Sequence, residues 1–367
     1  MYPARLWKKV DRFILGIVLA LIGFGLVAVS SASAVLSFNR FGNNNYYFFR
    51  QLLFAALGIF AIYFFSRIDY HLWKKWSFWI LLAGFLALAL VLLPKVGFRV
   101  GSSRSWFSLG SFLVQPSEFV KLAVILYLAS WFDRKRSAET NFWFGIMPPL
   151  LISGLAVLLI VIEPDIGTAV MLGIIIFCVL FGAGAKWQYL AGLGSMGIAL
   201  LWILIKAAPY RAERIITFLD PSLDPLGIGY HINQALLAIG SGGFWGRGFG
   251  ESIQKHNYLP EPIGDSIFAV MAEEFGFIRI IILLIMFLSL AIASLKLSRQ
   301  APDKFSALTI IGITSWITMQ ALINIGAITR MLPLTGITLP FISYGGSSLL
   351  SLCVAVGIML NISRQRG

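Results

Sequence analysis

Apolar residues run almost without interruption over ten stretches, at about 13–36, 47–65, 76–94, 116–132, 143–161, 168–184, 188–206, 276–296, 305–328 and 340–362. A hydrocarbon core about 30 Å thick is crossed by about 20 helical residues, which is the scale of these runs. Inside lipid the backbone must satisfy its own hydrogen bonds, so the runs are read as helices. The expected fold is therefore all-α, a polytopic membrane protein with about ten transmembrane helices. One membrane domain spans 1–367. The first run is too long for the apolar core of a signal peptide and is expected to stay as an anchor.

The pattern changes once, in the long polar segment at about 207–264. It is too long and too patterned for a plain connector. Asp220-Pro221 and Asp224-Pro225 are turn signals. Ile232, Ala235, Leu236 and Ile239 recur at i, i+3, i+4 and i+7, the stripe of an amphipathic helix that lies on the outer leaflet or covers a cavity. Gly240-Ser241-Gly242-Gly243 stops it.

Composition agrees: 58% of residues are hydrophobic and 12% charged, where soluble proteins carry about 25% charged residues. The net charge of +13 sits mostly in alternate loops, among them Arg67, Lys74, Lys75, Arg134, Lys135, Lys186, Lys296 and Arg299. The positive-inside rule then puts both termini in the cytoplasm. No basic run is interleaved with exposed aromatics, which excludes nucleic acid as a partner. Cys178 and Cys353 lie inside apolar runs and are read as packing residues. His71, His231 and His256 lack metal-ligand spacing, so zinc is excluded. The glycine-rich stretch 240–250 lacks a Gly-Lys-Ser/Thr ending and a preceding strand, which excludes a nucleotide P-loop.

The acids point outward. Glu163, Asp165, Glu213, Asp220, Asp224, Glu251, Glu261 and Asp265 are half of the 16 acidic residues, and all fall on the side away from the termini. Catalysis or cation binding there would account for this, as would a solvated loop. Glu118 and Lys121, at i and i+3 within a span, form an ion pair that either locks helices together or lines an outward cavity. Glu163-Pro164-Asp165 is a tight turn, or it projects Asp165 into a pocket as a metal ligand or base. Arg211 and Arg214 hold a pyrophosphate with forked hydrogen bonds, or sit at the headgroup level. Asp265 ends a Pro/Gly segment where an apolar helix begins, so it caps that helix or serves as a general base facing a membrane-embedded substrate. Glu273 and Glu274 are costly in an apolar helix unless paired. The run from Pro340 to Ser348, with Ser343, permits close helix packing or gives a cavity a polar lining.

The ordered set of motifs closely resembles the shape, elongation, division and sporulation (SEDS) family, whose members include FtsW and RodA. The matching segments are Arg104-Ser105-Trp106, Gln115-Pro116-Ser117-Glu118 with Lys121, Glu163-Pro164-Asp165, Arg211 and Arg214 with Asp220-Pro221, Gly229-Tyr230-His231 with Gln234, Leu259-Pro260-Glu261 with Asp265, Asn324-Ile325-Gly326 and Pro340 to Ser347. The stretch from Gly248 to Glu261 favours the FtsW subtype, whereas Gly229-Tyr230-His231 leans toward RodA. The family often has His-Thr before the aspartate, where this chain has Ile263-Gly264. A histidine there cannot assist catalysis in this chain.

The resemblance implies a peptidoglycan glycosyltransferase that polymerises lipid II at the outer face of the bacterial inner membrane, in division or elongation. Asp265 matches the aspartate expected to act as base. Arg104, Arg211 and Arg214 are expected to bind phosphates, Glu118 and Lys121 to set the cavity's electrostatics, and Gln234 and Ser343 to contact substrate. A divalent cation, Mg2+ or Mn2+, is implied as cofactor, with Asp165 and Asp265 as candidate ligands. Expected partners are a class B penicillin-binding protein and other divisome or elongasome membrane proteins. Two other readings are a lipid II flippase and a non-catalytic scaffold for the penicillin-binding protein.

Overall fold

The computed structural model describes residues 10–100, 103–110, 112–135, 141–224 and 227–365. Helix α1 (Arg12–Phe41) starts where Asp11 accepts the amides of Phe13 and Ile14, and stops at Gly42, whose φ of 67° leaves the helical region. Then follow α2 (Tyr46–Arg67) and α3 (Tyr70–Leu92), three short strands, α4 (Pro116–Arg134), α5 (Met147–Ile162) and α6 (Ile166–Ala183). The order continues with α7 (Trp187–Lys206), α8 (Pro209–Leu219), α9 (Ile228–Ser241), α10 (Ile267–Arg299), α11 (Lys304–Ile328) and α12 (Gly346–Arg364). Among the described residues, nine helical stretches are long and apolar enough to cross a membrane: α1, α2, α3, α5 with the turn before it, α6, α7, α10, α11 and α12. Helix α4 makes the tenth. Its Glu118, Lys121, Asp133 and Arg134 lower its hydropathy, yet its 19 residues give about 28 Å at 1.5 Å per residue.

The core lies where α4, α6, α10, α11 and α12 meet. Fully buried Ile125, Leu128, Val179, Ile313, Trp316 and Leu352 fill it. Helix α7 is mostly exposed, a lipid-facing outer element. Helix α12 packs hard on α2. A methyl group at Gly357 would lie 2.8 Å from Phe65 Cβ, so glycine is what lets these two backbones approach. Cys353 is buried at that same seam, unbridged, as a packing residue.

The amide of Asp11 donates to Ser363 Oγ at 3.1 Å, which puts the start of α1 beside the end of α12. The opposite end of the bundle holds the strands, α8, α9 and the connection from 242 to 266. The strands were not anticipated. β1 (Gly97–Val100), β2 (Ser103–Leu109) and β3 (Phe112–Val114) form an antiparallel meander. Residues 103–108 show no strict alternation of apolar and polar positions, so no period-2 pattern announced β2.

Three boundaries also differ from the sequence reading. Helix α3 begins at Tyr70, earlier than expected, because Asp69 caps it by accepting the amide of His71. Residues 340–345 are not helical, and α12 starts only at Gly346. Helix α10 begins at Ile267 and breaks at Gly276, where φ is 76° and ψ 175°. The amides of Phe277 and Ile278 donate to the carbonyls of Gly243 and Phe244, and the carbonyls of Glu273 and Glu274 accept from Arg247 and Gly248. The glycine-rich loop thus supplies the bonds that the kink removes from the helix.

Both acids of that turn are paired. Glu274 accepts from Lys255 Nζ at 2.9 Å and Ser31 Oγ at 2.6 Å. Glu273 accepts from Ser252 Oγ at 2.6 Å and the amides of Ile253 and Gln254. Two buried carboxylates therefore clamp the loop that leads to Asp265.

Candidate active site

Asp265 stands one residue before the N-cap of α10, at the end of the bundle opposite the termini. It is not the cap of that helix. Ser266 holds the N-cap position, and its side chain makes no capping bond. The backbone around Asp265 is held from outside. Tyr344 N donates to Ile263 O at 2.9 Å, Ser343 Oγ to Gly264 O at 2.7 Å, and Asn324 Nδ2 to Asp265 O at 2.9 Å. Three consecutive carbonyls are thus bound by residues of α11 and of the 340–345 segment. Ser343 Oγ also accepts the amide of Leu339 at 2.8 Å, and the residue is buried. Its hydroxyl is committed to backbone, so the structure makes it a bolt behind Asp265 and not an exposed lining group.

A second polar string runs through the bundle interior. Lys121 Nζ donates to Glu118 Oε1 at 2.7 Å and to Gln320 Oε1 at 3.4 Å, and it lies 4.8 Å from the Trp316 ring centre. Gln320 passes the connection on, donating to Thr338 O at 2.9 Å. Gln320 and Asn324 are one turn apart on α11, so a single helix face ties the ion pair to the Asp265 loop. Gln320 escaped the sequence reading. Its signal was an amide at i, i+4 from Asn324 inside an apolar span, where polar groups are costly.

Asp165 is the N-cap of α6. Oδ1 accepts the amide of Thr168 at 3.0 Å, and Oδ2 accepts Gln115 Nε2 at 3.0 Å. Burial holds its carboxyl above the ordinary aspartate value, offset in part by the bonds to Thr168. Its neighbour Glu163, read from sequence only as part of the turn, is 0% exposed and, among the described residues, has no hydrogen-bond partner on either carboxylate oxygen. Burial, and then the charge of Asp165, pushes it up to about 8, so it is protonated at neutral pH.

Asp265 is pushed up to about 6 by burial, against the pull of its bonds to Ser266 and of the Arg214 guanidinium. That range suits a base at neutral pH. Arg214 lies on exposed α8 and is anchored by a bond to Leu334 O at 3.3 Å. Its field reaches both Asp265 and His231. Arg211 shares α8, but its side chain lies outside the described residues, as does that of Tyr210. Gln234 is on α9, one turn from His231 and on the same face, half-buried. Burial keeps His231 below the ordinary imidazole value, with Glu261 pulling it up and Arg214 pushing it down. Arg104 is on β2, paired across from Arg99.

Among the described residues, no group of three or more His, Cys, Asp or Glu could hold a metal ion. Mg2+ does not need such a cage: it is commonly held by one or two carboxylates together with substrate phosphates. Asp165 fits poorly, since both of its oxygens already accept hydrogen bonds. Asp265 fits, because its Oδ2 carries no side-chain hydrogen bond among the described residues.

A family model described as cell cycle protein, covering FtsW, RodA and SpoVE, matches residues 12–367. The chain belongs to this family. It is 44% identical to stage V sporulation protein E of Bacillus subtilis over 355 residues, 96% of this chain and 97% of that protein. It is 41% identical to the probable peptidoglycan glycosyltransferase FtsW of Coxiella burnetii, over 97% of this chain and 96% of the relative. Among solved structures, a chain described under structural coordination of polymerization and crosslinking by a peptidoglycan synthase complex superposes with a TM-score of 0.81 at 28% identity, over 98% of this chain and 99% of that one. The rod shape determining protein RodA of Thermus thermophilus superposes with a TM-score of 0.73 at 26% identity, over 98% of both chains. These full-length matches agree with the SEDS resemblance, and with a multi-pass all-α membrane fold.

Proposed function

We propose that this family member is a peptidoglycan glycosyltransferase that polymerises lipid II at the outer face of the bacterial inner membrane, with both termini cytoplasmic. The observation that carries the proposal is Asp265. It is a half-buried carboxylate whose backbone is held from outside, with no side-chain hydrogen bond on Oδ2 among the described residues, at the end of the bundle away from the termini. Full-length relatives named as probable peptidoglycan glycosyltransferases support the reaction class.

In this reading the acceptor is the sugar hydroxyl of an incoming lipid II. Asp265 takes its proton as the hydroxyl oxygen bonds to the anomeric carbon of the donor glycan. The bond from that carbon to undecaprenyl pyrophosphate breaks, and the pyrophosphate leaves with the electron pair. Arg214, already close enough to act on the Asp265 charge, offsets the charge that builds on the leaving group. Arg211, three positions earlier on α8, is the second candidate for the phosphates. Asp265, with the substrate's phosphates, would hold Mg2+ or Mn2+, which when bound neutralises phosphate charge. Glu118 and Lys121 act at a distance by stiffening the frame behind the loop. Partnership with a class B penicillin-binding protein, which would crosslink the strands, rests on the likeness to the synthase complex chain.

The test is polymerisation of lipid II by purified protein with Mg2+ or Mn2+, read as glycan ladders. Ladders support the proposal. Lipid II movement across vesicles with no ladders would assign a flippase instead, and neither activity, with recruitment of the partner intact, would assign a scaffold.

A further inference from the structure

The three bonds to the carbonyls of 263–265 fix the backbone at Asp265 but not the rotation of its side chain. The backbone amides of Asp265 and Ser266 also bond to its carboxylate, while Ile263 and Gly264, which precede it, offer no side-chain donor. One side-chain hydrogen bond to the carboxylate is present among the described residues: Ser266 Oγ lies 3.4 Å from Asp265 Oδ1. The same Ser266 Oγ lies 2.6 Å from His231 Nε2, which comes from α9, 35 positions earlier.

Ser266 is 0% exposed and stands at the N-cap of α10, where a serine hydroxyl ordinarily accepts an amide of the first turn. Here it makes no such bond. The hydroxyl is directed instead toward His231 and Asp265, which forgoes the stabilisation of a capped helix end. A hydroxyl carries one hydrogen. With Ser266 donating to Asp265, His231 must donate to Ser266, so Nε2 carries the imidazole proton. The chain His231 to Ser266 to Asp265 then engages Oδ1 and leaves Oδ2 without a side-chain bond among the described residues. Charged groups facing His231 are Glu261, from the loop before α10, and Arg214, from α8.

We propose that His231 is a positioning residue for Asp265, acting through Ser266 to fix the carboxylate in the orientation that receives the acceptor's proton. This rests on the reading of Asp265 as base. His231 does not touch substrate in this arrangement and carries no proton in the reaction. Its task is orientation, the effect by which misplacement of a reacting group costs on the order of 10- to 100-fold in rate.

The experiment compares the full-length wild type with His231→Ala, His231→Gln, Ser266→Ala, Ser266→Thr and the double variant His231→Ala/Ser266→Ala, measuring kcat and KM for lipid II polymerisation. Expected is a drop in kcat of roughly 10-fold or more for each alanine variant, with KM nearly unchanged. His231→Gln should retain most of the rate, since a glutamine amide reaches the serine with an N–H donor, and Ser266→Thr should do the same by keeping the hydroxyl. The double variant should be no slower than the slower single one, because both remove one chain. Wild-type kcat in His231→Ala would overturn the inference, as would multiplied losses in the double variant. If the alanine variants do not fold, a rate in His231→Gln or Ser266→Thr as low as that of Asp265→Asn would also overturn it. An inactive wild type would instead overturn the glycosyltransferase reading on which the inference stands.

Discussion

The side-chain amide of Asn324 donates from one nitrogen to two backbone carbonyls, Asp265 O at 2.9 Å and Ile337 O at 2.7 Å. A buried residue near the end of α11 thereby fixes two segments that are far apart in sequence. Replacing it with leucine keeps the volume but strips both carbonyls of their donor. Each buried, unsatisfied carbonyl costs about 1–3 kcal/mol. Asn324→Leu should lower the melting temperature and cut polymerisation. A variant with wild-type melting and wild-type rate would show that the loop holds itself.

Ser343 offers a milder version of the same test. Ser343→Ala removes the donor to Gly264 O and the acceptor for Leu339 N. The expected loss is about 1–3 kcal/mol of stability, seen as a lower thermal midpoint, with KM for lipid II unchanged. A raised KM at unchanged stability would return Ser343 to the substrate-contacting role.

Lys121 and Glu118 are both buried, and Glu118 Oε2 has no further partner. Removing one ion leaves the other uncompensated, at a cost of about 3–5 kcal/mol. Lys121→Ala should therefore yield little folded protein. Glu118→Gln with Lys121→Met together should recover most of the folded yield in detergent, measured by monodisperse elution. Equal yields of the single and double variants would remove the ion pair from the account of stability.

Glu163 sets a pH dependence. Its carboxyl moves from an ordinary 4.5 to about 8 in the folded chain. Between those values the folded state binds more protons than the unfolded state, so this stability is complete at low pH and is lost as pH rises toward 8. Glu163→Gln removes the titration. The variant's thermal midpoint should gain on the wild type steadily from pH 5 to pH 8; a constant difference would contradict the assignment.

Much of this was legible in the sequence because the physics is local. Uninterrupted apolar runs gave ten spans, and the stripe of Ile232, Ala235, Leu236 and Ile239 gave α9, whose Ile232 and Ala235 are indeed buried. The Glu118–Lys121 pair follows from helix spacing alone. What could not be read are relations set by tertiary contact. Asp265 looked like a helix cap, and only the fold shows that Ser266 holds that place. Asp165 looked like a metal ligand, and only the packing of Gln115 against it shows its oxygens engaged. The kink at Gly276 and the pairing of Glu273 and Glu274 depend on a loop arriving from 30 residues upstream, which no local pattern announces. Arg104 shares a motif order with the other candidates, and its place on a short strand was not announced by any local pattern.

The most direct test of the central claim is lipid II polymerisation by the purified full-length chain with Mg2+ or Mn2+, with and without a class B penicillin-binding protein, beside Asp265→Asn of equal thermal midpoint. The account predicts glycan ladders from the wild type and none from the variant. Ladders of wild-type length and rate from Asp265→Asn would contradict it.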